Sequence, residues 1–117
     1  MKSIELSVTK ELLPSKNGIQ ETFLTTYDLL KSAINNPTQG GFNVDEMIKR
    51  LRLLGEVDKH KDLFDIKIEE FKDEVLERKG TLELEDADFT KLKELFKEMK
   101  WGVVSKTIVD LSNQFDK

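Results

Sequence analysis

The sequence contains no cysteine, which excludes disulfides, thiolate metal sites and thiol nucleophiles. It contains one histidine, His60, inside the charged run Asp58-Lys59-His60-Lys61-Asp62. One histidine makes no metal cluster, and no Ser-His-Asp or Cys-His pattern accompanies it, so it reads as a loop residue. Neither G-x-G-x-x-G nor G-x-x-x-x-G-K-[ST] occurs, which removes the common phosphate loops. Nowhere do eighteen apolar residues run together, and Met1-Lys2-Ser3-Ile4-Glu5 lacks the apolar stretch of a signal peptide. The expectation is a cytoplasmic protein, of a cell or of an infected host, with association to a virion compatible and no membrane partner.

What is present is an ordinary globular composition. In 117 residues, 38% are hydrophobic and 36% charged, enough for one core and one domain over 1–117. The net charge of −4 is uneven. Residues 1–60 hold eight basic and eight acidic side chains; residues 61–117 hold eleven and fifteen. An acidic chain gains little from counterion release, so nucleic acid is a disfavoured partner.

Ile4, Leu6 and Val8 alternate with polar residues, the period of a half-buried strand. Pro14 to Gly18 supplies turn chemistry, and Ile19 to Leu24 returns as a second strand. Thr25 or Thr26 caps a first helix striped by Tyr27, Leu30, Ala33 and Ile34, which Asn35-Asn36-Pro37 stops. Gly40-Gly41 makes a turn, and Asn43 with Glu46 forms a capping-box pattern for a second helix. There Val44, Met47, Ile48, Leu51 and Leu54 mark one face, before a polar stretch from Gly55 to Lys61.

Two periods compete in the next segment. Phe64, Ile68, Phe71 and Val75 form a helical seam, whereas Phe64, Ile66 and Ile68 alternate as in a strand. The helix formers of Glu69 to Arg78 favour a helix over about Asp62 to Lys79, closed by Gly80. Thr81 to Glu85 reads as a short strand. Asp86 or Asp88 caps a helix with Phe89, Leu92, Leu95, Phe96 and Met99 inward, ending at Trp101-Gly102. Ser105 caps a last helix bearing Ile108, Val109, Leu111 and Phe115. The predicted fold is α+β, mostly helical with about five helices. A small antiparallel sheet combines the N-terminal hairpin with a strand near 81–85.

Glu83, Glu85, Asp86 and Asp88 could hold a divalent cation through oxygen ligands. Their spacing is not that of an EF-hand, and a solvated strand face with helix-dipole partners explains them as well. No cofactor and no metal are predicted. Two basic groups, Lys93, Lys97 and Lys100 on one helix and Lys49, Arg50 and Arg52 on another, could contact anions. Among apolar residues, Ile66, Trp101, Val103 and Val104 have no evident internal stripe and are offered as a partner surface. For Trp101 the competing reading is a plug at a helix junction of the core.

The stretch Asn36-Pro37-Thr38-Gln39-Gly40-Gly41-Phe42-Asn43-Val44-Asp45-Glu46-Met47, and Leu82 to Trp101 with its Leu-Glu-Leu-Glu-Asp-Ala-Asp core, give a compact strand-then-helix layout. It resembles small accessory proteins encoded by bacteriophages and prophages. The resemblance implies an assembly, structural or host-interaction role and assigns no individual residue. The reading taken forward is a non-enzymatic module that binds another protein or itself. The alternative is a small nucleic-acid-associated regulator using the lysine-rich helix face.

Overall fold

The computed structural model describes residues 1–117 and is α+β. β1 (Lys2–Ser15) turns through Lys16-Asn17 into β2 (Gly18–Thr25), with Gly18 at φ +104°, a value that favours glycine. α1 (Thr26–Asn35) and α2 (Val44–Asp58) follow. A single turn, α3 (Lys61–Phe64), then leads through 3-10 turns at Ile68–Glu70 and Asp73–Glu77 to β3 (Lys79–Leu84). α4 (Asp86–Glu98) and α5 (Lys106–Gln114) complete the chain.

The sheet order is β2-β1-β3, antiparallel throughout, with the N-terminal strand in the middle. β1 is long enough to be shared: its first half pairs with β3 (Ile4 opposite Leu82), its second half with β2 (Lys10 opposite Phe23). Where β2 stops, the free edge of β1 is satisfied by side chains. Gln114 accepts from the Glu5 amide (2.8 Å) and donates to its carbonyl (3.3 Å). The Thr26 hydroxyl does the same for Ser7 (2.9 and 3.4 Å). These contacts close an edge that would otherwise recruit another strand.

Ile4, Leu6 and Val8 join Leu82, Leu84 and the inner faces of α1, α2, α4 and α5 in one core of 21 buried residues. The caps act largely as their chemistry dictates. Thr25, rather than Thr26, accepts from the Asp28 amide (3.0 Å), and Ser105 accepts from Ile108 (3.3 Å). Gly40 and Gly41 both take positive φ (87° and 82°) in the turn before α2.

The helix expected over about 62–79 does not form. Phe64 is fully buried, and its ring lies 3.4 Å from where a Gly80 Cβ would stand. A straight helix would hold residues sixteen apart about 24 Å away from each other, so contact between 64 and 80 forbids one. The chain instead makes a compact excursion over residues 65–78, and Arg78 fastens its neck by donating to the Leu63 carbonyl (3.1 Å). Gly80 consequently lies in β3 rather than at a helix end. The polar stretch from Gly55 is helical as far as Asp58.

Candidate functional site

α2 carries apolar residues on two faces, and the fold buries only one. Leu53 and Val57 are fully buried, and Leu54 packs partly against the core. Of the stripe that marks one helical face in the sequence, Leu54 is partly buried, but Val44, Met47, Ile48 and Leu51 point to solvent: they are 68%, 46%, 54% and 66% exposed. Their spacing of three, one and three residues makes a continuous ridge along two helical turns. Beside it lies a shallow groove of about 260 Å³ lined by Ile34, Phe42, Met47, Leu51 and Leu54, with Arg50.

The orientation of α2 follows from its polar residues. Arg50 is buried and its guanidinium donates to the carbonyls of Ile34 (2.7 Å) and Asn36 (2.9 Å) at the end of α1. These carbonyls have no partner within their own helix, so α2 supplies their donor. Arg50 also stacks on the Phe42 ring (4.5 Å) and bonds Glu46 (2.9 Å). Asn43 accepts from the Glu46 amide (2.8 Å), the expected half of a capping box. The Glu46 carboxylate is instead shared between Arg50 and Lys91 (2.8 Å). Hydrogen bonds from Lys91 and then Arg50 hold its pKa below the ordinary glutamate range, against the effect of burial.

Further ties fix α2 in place. Arg52 donates twice to Asp88 of α4 (2.9 and 2.6 Å). Asp58 accepts from the Tyr27 hydroxyl (2.7 Å) and pairs with Lys31 (3.2 Å). Burial, then the Asp58 contact, raises the Tyr27 pKa. Arg50, Leu53 and Val57 face the body of the protein, the exposed Arg52 and Asp58 are tied to it from its margin, and the 44–51 stripe is left outside.

The sequence-selected residues are dispersed. Ile66 and Trp101 are partly buried against the core, Trp101 with its ring 5.2 Å from that of Phe96. Val103 and Val104 are exposed, Val104 almost wholly. Lys93 and Lys97 both converge on Asp116 (3.4 and 2.8 Å), and Lys100 lies past the end of α4. Arg50 and Arg52 are engaged internally and Lys49 alone of that trio is free, so they form no common anion-binding face. Of the acidic group, Asp88 is taken by Arg52 and Asp86 lies 3.8 Å from the N-terminal amine. No three or more His, Asp or Glu side chains are grouped to hold a metal ion. No helix is long and apolar enough to cross a membrane.

A second polar feature was not evident in the sequence. Glu11 of β1 reaches the N-terminus of α5, where Oε1 accepts from the Thr107 amide (3.1 Å) and Oε2 is buried without a well-formed hydrogen bond. The nearby Ser105 hydroxyl, and then the amides of Thr107 and Lys106, lower the Glu11 pKa despite burial. This is a carboxylate serving a helix dipole. Nothing in the spacing of Glu11 and Ser105, 94 positions apart, signals it.

Compared with protein families, curated proteins and solved structures, the chain matches none.

Proposed function

We propose that this chain is a non-enzymatic protein-interaction module that binds another protein, or itself, through the outer face of α2. One observation carries the reading: Val44, Met47, Ile48 and Leu51 form a ridge on a helix whose other contacts hold it firmly in that orientation. Single exposed apolar side chains are common, but four in helical register are on the order of 400 Å² of contiguous apolar surface, the scale of interaction patches. Covering that area yields roughly 10 kcal/mol of gross hydrophobic stabilisation at about 25 cal/mol/Å². Association entropy takes up much of it, so reversible binding is expected, with the helix ridge meeting an apolar groove or a second helix.

The test uses Met47→Asp/Leu51→Asp in the full chain. Both side chains are outside the core, so the melting temperature should stay within a few degrees of wild type. Wild-type protein, co-expressed with a differently tagged copy in its native host, should recover a specific partner, whether another protein or the second copy. The double variant should lose it. If the folded variant recovers the same partners as wild type, the reading is wrong. Capsid, tail or portal genes beside its own would place the module in phage assembly.

A further inference from the structure

We infer that the outer edge of β2 is a second binding surface, which takes an extended segment of another protein as a fourth strand of the sheet. Read at successive positions, that segment is apolar, any, basic, any, apolar. This surface is separate from the α2 ridge and does not depend on it.

Gln114 and Thr26, not β3, bind the amides of Glu5 and Ser7, so the odd-numbered residues of β1 turn their polar groups to the β2 side. In the register of the hairpin those residues bond Gly18, Gln20, Thr22 and Leu24. The amides and carbonyls of Ile19, Glu21 and Phe23 therefore point outward, and none has a hydrogen bond within the chain. Donors and acceptors repeating at every second residue are matched by another extended backbone. β2 also lacks the devices that blunt an edge. It contains no proline and no lysine, and its register runs from Gly18 to Thr25 without a bulge. The other free edges are treated differently: β1 has side-chain partners at Glu5 and Ser7, and β3 carries the exposed charges Lys79 and Glu83.

The side chains beside this edge set the pattern of the incoming strand. Ile19, Glu21 and Phe23 share one face of the sheet with Lys10 and Leu12 of β1. Ile19 and Leu12 are largely exposed, and so is much of Phe71, which stacks on Phe23 at 5.5 Å. An added strand puts every second side chain on this face, so two apolar residues four positions apart lie beside Ile19 and Phe23. The residue midway between them lies beside Glu21. There one ammonium, Lys10, serves two carboxylates, Glu21 at 3.3 Å and Asp73 at 2.9 Å, and neither has another cation. The excess negative charge calls for a lysine or arginine on the incoming strand.

The same charge disfavours a second copy. Glu21 is the one charged residue of β2, so two β2 edges bring no cation to each other. The β3 edge of a second copy would offer Lys79, Thr81 and Glu83, with no apolar side chain to meet Ile19 and Phe23.

The probe is the fluorescein-labelled peptide Thr-Val-Thr-Arg-Thr-Val-Thr, titrated with the full chain and followed by anisotropy. Binding should be half-saturated at or below about 1 mM. Glutamate in place of its arginine should weaken binding about three-fold at low salt, and Glu21→Lys in the protein should reverse that preference. N-methylation of alternate peptide amides should abolish binding for one set and spare it for the other. Glu21→Pro removes an outward amide and leaves the β1–β2 ladder intact, so it should abolish binding at a near-normal melting temperature. If Glu21→Pro fails to fold, the reversal by Glu21→Lys decides. Met47→Asp/Leu51→Asp should bind the peptide as wild type does, which keeps failure of the α2 ridge distinguishable from failure of this edge. No anisotropy change up to about 3 mM protein, indifference to N-methylation of either set, or an unreversed charge preference each overturns the inference. Self-association of the chain that Glu21→Pro removes would give the edge to a second copy and overturn it as well.

Discussion

Replacing Arg50 by alanine tests the account of why α2 turns its larger apolar stripe outward. The side chain is only 8% exposed and its partners are two neutral carbonyls, Glu46, and the face of Phe42. Glu46 keeps Lys91 in the variant, so no carboxylate is orphaned. The Ile34 carbonyl loses a charged donor in a buried setting, about 2 kcal/mol, while the Asn36 carbonyl is nearer water and loses less. Loss of the stacked guanidinium adds about 0.5–1 kcal/mol. Lost packing of the aliphatic stem adds to this, and the slightly better helix propensity of alanine offsets only a few tenths of a kcal/mol of it. The sum is about 3 kcal/mol. With an unfolding entropy of about 2.1 cal/mol/K per residue, that lowers the melting temperature by about 12 °C. Urea unfolding followed by far-UV circular dichroism measures it directly. Arg50→Lys should recover about half, because an ammonium cannot bridge both carbonyls and the ring. The loss should persist in 0.5 M NaCl, since bonds to neutral carbonyls are screened little. A change of under about 1 kcal/mol for Arg50→Ala would refute the idea that this guanidinium anchors α2 to the end of α1.

Two further outcomes follow from the same contacts. The pKa values of Glu46 and Glu11 are lowered on folding, so their contribution is present above the ordinary glutamate value and lost as pH falls through the folded one. The urea midpoint should therefore hold from about pH 7 to 5 and drop as pH falls below the ordinary glutamate value, and Glu46→Gln should reduce that drop; an equal drop in the variant would show that Glu46 plays no part. Trp101→Ala should cost about 2 kcal/mol by uncovering Phe96 while leaving association unchanged. Unaltered stability with lost association would return Trp101 to a partner surface.

Much of the architecture could be read directly from residues. The alternation of Ile4, Leu6 and Val8, the Asn17-Gly18 turn, and Thr25, Asn43 and Ser105 as caps are local signals, and each appears where its chemistry places it. Asp86 and Asp88 do open α4, although neither caps it: the cap position is Glu85, and Asp88 is drawn to Arg52. The segment 62–79 is different, because its helical seam is genuine as a pattern. Closure of Phe64 onto Gly80 removes the helix, and Ile68 ends up 83% exposed. Only Phe64 and Val75 of that seam reach the core.

The α2 ridge marks the limit of sequence reading most clearly. Periodicity shows that Val44, Met47, Ile48, Leu51 and Leu54 share a side of a helix, and capping shows where the helix starts. Neither says whether that side meets the body of the protein, because a helix can rotate about its axis without changing its own hydrogen bonds. The rotation is settled by distant groups: carbonyls of Ile34 and Asn36 that need a donor, Asp88 waiting for Arg52, and Tyr27 for Asp58. The sequence by itself determined the elements, their caps and the α+β class. Tertiary structure alone decided which apolar face stayed in water, since that depends on polar partners brought together from α1, the residues that end it, and α4.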